Sequence, residues 1–282
     1  MSTSRIGRYE IIDELGEGGM AVVYLARDPY MDRKVAVKVL SYQLAADALF
    51  LEHFHHEAEI IAALEHPCIV PVYDFGLQGD QPYIVMRYMA GGSLQDRLED
   101  ESEELGLHQM ARIVDRVAGA LDAAHAHDVV HRDVKPSNVL FDVSGEAFLS
   151  DFGLAKSSRR PIESEDTLFV GTPAYMSPEQ VCDNPLDGRS DVYALGAMVY
   201  RVLADQPPYL EDTLTATARA HIIEPVPDIL HVRPDLRSPW REIIAKAMAK
   251  APRDRYGTAG ELAREIHEAV SGRWYLRKLV FD

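Results

Sequence analysis

The chain has 282 residues, 47% of them hydrophobic, so it can bury a large core and sits near the upper size limit for one domain; one domain or two apposed lobes both fit that length. A formal charge of -16 argues against nucleic acid and against contact with an anionic membrane, since either surface would repel the chain and no basic patch of any size interrupts the balance. The two cysteines, Cys68 and Cys182, are far apart and lack metal-ligand spacing, which sets aside a disulfide framework and a zinc site and fits a reducing cytoplasm.

Residues 1–8 are polar and basic with no apolar stretch behind them, so they are expected to form a short mobile lead-in rather than a secretory signal. Short β-branched or aromatic runs then predict strands over Tyr9 to Leu15, Ala21 to Arg27, Lys34 to Leu40, Ile69 to Phe75 and Tyr83 to Met86. One helix interrupts them. Between Ala48 and Leu64 the residues Phe50, Leu51, Phe54, Ala58, Ile61 and Ala62 recur at helical spacing, and His66-Pro67 closes the segment. His53, His55 and His56 on this stretch lack a carboxylate at metal-ligand spacing and are expected to be surface histidines. The expected small lobe covers residues 9–87, with its boundary near Arg87 to Ala90.

Beyond Gly91-Gly92 the charge run Glu99 to Glu104 is expected to be a solvated loop, and the periodicity turns helical over Leu107 to His127, Ser190 to Ala204, Trp240 to Lys250 and Thr258 to Val270. Short strands are expected at Val139 to Phe141 and Ala147 to Leu149. The second lobe, residues 88–270, is thus mostly α, and the whole is an α+β, bilobal chain. Residues 271–282 form a tail, apolar and basic from Trp274 to Phe281, with no evident partner. Val192 to Tyr200 is the longest apolar candidate and falls far short of the roughly 20 residues a membrane-spanning helix needs. The chain is expected to be soluble and cytoplasmic, whether alone or as the cytoplasmic part of a longer membrane-anchored protein.

Gly16-Glu17-Gly18-Gly19-Met20-Ala21 lies between two expected strands, where small residues let backbone N–H groups approach phosphate oxygens. An ordinary turn would look the same, and no helix follows to make it a dinucleotide fingerprint. Lys38, in Val35-Ala36-Val37-Lys38, places an ammonium among apolar neighbours, where it needs either an anion or solvent; Glu57 on the following helix is the candidate anion.

Further on stand His131-Arg132-Asp133-Val134-Lys135-Pro136-Ser137-Asn138, then Asp151-Phe152-Gly153, then Ser177-Pro178-Glu179. With these, from about Tyr9 to Val270, the chain resembles the eukaryotic-type protein Ser/Thr kinases of the bacterial receptor-kinase group. The resemblance implies a transferase that moves the γ-phosphate of Mg-ATP, with Mn2+ as a possible substitute ion, onto Ser or Thr hydroxyls of proteins, its own activation loop included. By resemblance Asp133 accepts the hydroxyl proton, Lys135 supports the transferring phosphate, and Asn138 and Asp151 hold the metal. Lys38, held by Glu57, would meet the α- and β-phosphates. Gly16, Glu17, Gly18, Gly19, Met20, Ala21 and Val22 would form the loop over the phosphates. Leu15, Val23, Ala36 and Leu140 would sandwich the adenine, with Met86 behind it and Met89 offering backbone hydrogen bonds. Each of these apolar residues is also a plausible core residue.

The same resemblance places Ile61, Val72, His131 and Phe152 in a regulatory stack, Asp191 as anchor of the catalytic loop, and Glu179 with Arg255 as a buried ion pair. His125 and His127 are expected to pack near that loop. Thr172 would contact Asp133 and Lys135, and Ser164 or Thr167 would be the phosphorylated residue, with Ser157 and Ser158 behind them. Ala21 stands for the loop's third glycine, Met20 for its aromatic tip, Arg87 for an acid after the gatekeeper and Ser177 for an alanine. Ser93, Ser137 and Arg201 stand where arginine-directed relatives carry acids, which implies no demand for arginine before the target hydroxyl; Arg201 would even favour an acidic substrate side chain unless a neighbour such as Glu211 or Asp212 neutralises it. Transient pairing with a second kinase domain is implied by the resemblance alone. The competing readings are a pseudokinase, disfavoured by the retention of Lys38, Asp133, Asn138 and Asp151, and a small-molecule phosphotransferase, disfavoured by Gly171 to Glu179.

Overall fold

Strand-forming and helix-forming sequence separate along the chain, and the structure, a computed structural model, follows that separation. It describes residues 4–18, 21–41, 58–100, 105–152 and 173–274. These divide into two compact units, one holding the described residues up to Ala90 and the other those from Gly91 onward.

The first unit is a six-stranded antiparallel sheet in the order β1-β2-β3-β4-β6-β5. The strands are β1 (Arg5–Ile6), β2 (Tyr9–Gly18), β3 (Ala21–Asp28), β4 (Arg33–Leu40), β5 (Val72–Gln78) and β6 (Gln81–Arg87). Residues 58–63 are helical, Leu64 lies just past the helix end, and residues 48–57 of the expected helix lie outside the described residues. β4 is paired along both edges, and its consecutive residues Val35, Ala36 and Val37 are all buried, so apolar residues cover both of its faces. Val35, Val37 and Val39 join Tyr9, Ala26, Tyr83 and Val85 in a buried cluster on one face. Side chains alternate across a strand. The register pairs Val23 with Lys38, Leu25 with Ala36, Lys38 with Ile84 and Ala36 with Met86, and so gathers these residues on the opposite face.

Three expectations are corrected here. The lead-in is not loose throughout: Arg5 and Ile6 pair with Glu10 and Tyr9, because Gly7 takes φ 56 and turns the chain back on itself. The strand expected from Ile69 starts at Val72; Pro71 has no N–H to offer a ladder, and only its carbonyl is used, by the Arg87 N–H. Trp274 is no partnerless tail residue. Its ring is buried and its Nε1–H donates to Glu265 Oε2 at 2.9 Å.

The second unit contains α1 (Leu94–Glu99), α2 (Leu107–His125), the hairpin β7 (Val139–Phe141) and β8 (Ala147–Leu149), and α3 (Pro178–Val181). There follow α4 (Gly188–Ala204), α5 (Leu214–Ile223), α6 (Ile229–Val232), α7 (Pro239–Ala247) and α8 (Ala259–Val270). α4 is buried over nearly its whole length and packs against α2, α7 and α8. Gly196 makes this approach possible, since a Cβ there would come within 2.7 Å of the Ala247 side chain. The expected helices sit where the periodicity put them, within a few residues at their ends. Glu99, expected in a loop, closes α1; the helix is capped by Ser93, whose Oγ accepts from the Asp96 N–H while the Asp96 carboxylate accepts from the Ser93 N–H. Residues 101–104 lie outside the described residues. Among the described residues, no helix is long and apolar enough to cross a membrane.

Candidate active site

The segment from His131 to Asn138 would be free to wander as a polar loop, and buried hydrogen bonds stop it. Asp191, in the first turn of α4 and 1% exposed, accepts from the His131 N–H at 2.8 Å through Oδ2 and from the Arg132 N–H at 2.9 Å through Oδ1. Its Oδ2 also meets His125 Nε2 at 2.7 Å, so His125 steadies the anchor through a polar contact. Arg132 takes φ 65, a left-handed conformation costly for a side-chain-bearing residue, and it is held by its N–H bond to Asp191 on one side and by a bond from Gln180 to its carbonyl on the other.

His131 is fully buried. Its Nδ1 accepts from the Asp133 N–H at 3.2 Å, which leaves the ring proton on Nε2, 2.9 Å from the Ser150 carbonyl. Burial pushes its pKa down, against the pull of Asp191 and other nearby acceptors, so the ring is neutral and works as a strut. Phe152 packs on it with ring centroids 4.5 Å apart. Ile61 and Val72, the other two expected stack residues, belong to the first unit.

With the loop fixed, its polar side chains converge. Asn138 Nδ2 donates to the Asp133 carbonyl at 2.8 Å and to Asp133 Oδ2 at 3.1 Å, and Lys135 Nζ lies 3.0 Å from the same Oδ2. The Ser150 N–H and Oγ both donate to the Asn138 carbonyl, at 2.9 and 3.0 Å, which ties Asp151 to the neighbourhood of Asn138. Asp151 takes φ 59. Because the Asn138 nitrogen is committed to Asp133, its Oδ1 is the amide atom suited to a cation. One carboxylate and one amide oxygen suit a hard divalent ion that completes its shell with water and phosphate oxygens, so the donor set fits the expected metal.

In the first unit, Val23, Ala36, Lys38 and Met86 share the sheet face described above, and Met89 is buried. Leu15 falls at a register shift between Glu14 and Gly16, which leaves it 45% exposed. Glu17 pairs with Val22 and Gly18 with Ala21, closing the Gly-rich hairpin. A Cβ on Gly16 would meet nothing within 4 Å. Among the described residues, packing therefore does not demand glycine there. Leu140, half-buried, sits on β7 in the second unit. Glu57, Gly19, Met20, Thr172, Ser157, Ser158, Ser164 and Thr167 lie outside the described residues.

Glu179 and Arg255 form the expected buried pair, with contacts of 2.6 and 2.8 Å. One residue on this stretch escaped the sequence reading. Gln180 Oε1 accepts from the Ser177 N–H at 3.0 Å while its Nε2 donates to the Arg132 carbonyl at 2.8 Å, so a single amide bridges α3 and the catalytic loop. The signal was present: Ser177-Pro178-Glu179-Gln180 has the S-x-x-Q form of a capping box. Replacing Gln180 with Leu should lower turnover more than it lowers thermal stability, because the loop loses one tether next to Asp133. Steady-state kinetics beside a melting curve checks this, and an unchanged kcat would remove Gln180 from the site.

Arg201 is paired differently from expectation. Its Nη1 donates to Asp205 at 2.7 Å, one turn along α4, rather than to Glu211 or Asp212. The i,i+4 spacing places the two on one helix face.

Residues 9–274 match the family described as protein kinase domain. The chain belongs to that family. It is 38% identical over 269 residues to the serine/threonine-protein kinase PknD of Mycobacterium tuberculosis, covering 95% of this chain and 40% of that protein. It is 39% identical over 275 residues to PknB of Mycobacterium leprae, covering 94% of this chain and 43% of that one. The chain thus spans less than half the length of these curated relatives. Among solved structures, the Mycobacterium tuberculosis PknI kinase domain superposes with a TM-score of 0.79 at 32% identity, over 96% of this chain and 99% of the other. The protein kinase fold, the likeness to bacterial Ser/Thr kinases, and the family's use of ATP with a divalent metal follow from these matches.

Proposed function

We propose that this chain transfers the γ-phosphate of ATP to serine and threonine hydroxyls of proteins, including its own. The observation that carries the reading is the Asp133 carboxylate, held at 3.0 Å by Lys135 and 3.1 Å by Asn138 in a loop clamped by Asp191. Phosphoryl transfer needs little covalent help, so alignment and charge neutralisation do most of the catalysis. Asp133 orients the acceptor hydroxyl and takes its proton, and Lys135 supports charge on the transferring group. Lys38 positions the nucleotide phosphates with help from Glu57. Asn138 and Asp151 would hold Mg2+, or Mn2+ in its place, which supplies charge neutralisation on the phosphates when bound. The Gly-rich hairpin would cover them, and Leu15, Val23, Ala36, Met86, Met89 and Leu140 would receive the adenine.

The test is intact-mass analysis after incubation with Mg-ATP, with Asp133→Asn as control. Mass increments of phosphate in the unaltered chain alone support the reading; none in either would leave a nucleotide-binding pseudokinase. Phosphate should map to Ser164 or Thr167 before Ser157 or Ser158, because Arg132 beside the catalytic Asp suits a phosphate partner that orders the loop. Full activity in a variant with all four changed to Ala would show that phosphate is unnecessary.

Substrate selection should not require arginine. Ser93 is committed to capping α1, Ser137 carries no charge, and Arg201 is neutralised by Asp205. Net charge acts over the whole surface, whereas a subsite feels charges within about a Debye length, roughly 8 Å at physiological salt. A degenerate threonine-centred peptide library should show neutral preference upstream; strong selection for arginine two or three positions before the threonine would refute it. We further propose a cytoplasmic setting for this domain.

A further inference from the structure

We propose a second anion site on this chain, a cavity of about 380 Å3 between α2 and α8 that takes a phosphate monoester. Along the sequence no basic patch of any size appears. Folding makes one: α2 and α8 pack on one another, and the cavity is lined by His108 and Arg112 of α2, His267 of α8, and Arg273 just beyond it. Ala111 and Val270 supply apolar lining. Asp115 answers part of this charge, through a 3.0 Å contact with His267 Nδ1. Among the described residues, Arg112 and Arg273 have no such contact with a carboxylate.

On a chain of charge -16, two guanidinium groups beside one cavity, with no carboxylate contact among the described residues, leave a local positive charge in excess that a ligand can satisfy. A singly charged carboxylate would leave much of that excess, whereas a phosphate monoester offers up to two charges and three acceptor oxygens. Two planar guanidinium forks match that geometry. The volume falls within the range of small-molecule pockets, about 300–1,000 Å3, and so admits a phosphate group. The ligand is therefore phosphate as the free ion or as a phosphorylated serine or threonine side chain. Binding there stands apart from the catalytic reading, since it needs neither ATP nor Asp133.

The experiment is calorimetric titration of the full chain, without nucleotide, using inorganic phosphate, a phosphothreonine peptide with neutral flanks, and the same peptide unphosphorylated. Charge-assisted hydrogen bonds to each guanidinium imply that Arg112→Gln with Arg273→Gln weakens phosphate-dependent binding by roughly tenfold or more. Both positions are exposed, so the melting temperature should hold, and His108→Gln alone should give a smaller loss. Equal affinity for phosphate and phosphopeptide would assign the free ion as ligand, and a preference for the phosphopeptide a phosphorylated protein; each supports the site. The proposal is overturned if phosphate-dependent binding is absent, if the double variant binds as tightly as the unaltered chain, or if the unphosphorylated peptide binds equally well.

Discussion

Asp133→Asn is expected to lower phosphate transfer by about 10²–10⁴-fold, the usual loss when a positioned base is removed, while the fold survives. The reason lies in which bonds the carboxylate makes. The strongest tether of the loop at this point runs from Asn138 Nδ2 to the backbone carbonyl of Asp133, and substitution of the side chain leaves it in place. The Asp191 bonds to the His131 and Arg132 amides are untouched as well. What disappears is the charge facing Lys135 Nζ, and at 18% side-chain exposure the site lets water compensate part of it. The loss should therefore be kinetic. Lys38→Met should match it in size through the nucleotide phosphates, and the two together should cost far less than the product of the separate losses, since both serve one transition state. Intact-mass kinetics beside a melting curve measures each quantity, and wild-type turnover by Asp133→Asn would sink the assignment.

How much of this could be read from the sequence depends on whether the deciding contacts are local. β7 and β8 were legible to the residue because short apolar runs flank a turn, and α4 was legible because its apolar spacing is continuous. α5 (Leu214–Ile223) was missed. Its apolar residues run round the whole cylinder, so there is no stripe to detect, and the Thr213 Oγ that accepts from the Ala216 N–H was the remaining clue. The polar residues of the catalytic segment were legible by resemblance. Their tethers were only partly so: Asp191 was foreseen as the anchor, whereas the Gln180 bridge joins residues 48 apart through a backbone carbonyl, and a carbonyl leaves no mark in a sequence. The basic cavity was invisible for the same reason, its charges coming from two ends of the second unit.

Arg255→Ala should be the most destabilising of the substitutions considered, by about 3–5 kcal/mol, because it strands a buried carboxylate. Glu179 is 6% exposed and Arg255 5%, and the guanidinium also donates to the carbonyls of Ala249, Arg189 and Lys250 at 2.7, 2.9 and 3.0 Å. Burial by itself would raise the Glu179 carboxyl, yet hydrogen bonds from Arg255 and Ser190 outweigh it and hold the group below its ordinary value. A depressed carboxylate binds fewer protons in the folded chain than in the unfolded one. The stabilisation it brings is therefore complete above the ordinary carboxylate pKa and fades as pH falls through the folded value. The gap in melting temperature between the unaltered chain and Arg255→Ala should narrow in acid; a gap independent of pH would mean that the carbonyl bonds, and not the ion pair, carry the effect. Replacing both partners with apolar residues, Glu179→Met with Arg255→Leu, should cost less than Arg255→Ala alone, since no charge is left buried. Activity should fall in every one of these variants. Glu179 sits beside Gln180, and any shift of α3 moves the amide that holds the Arg132 carbonyl next to Asp133.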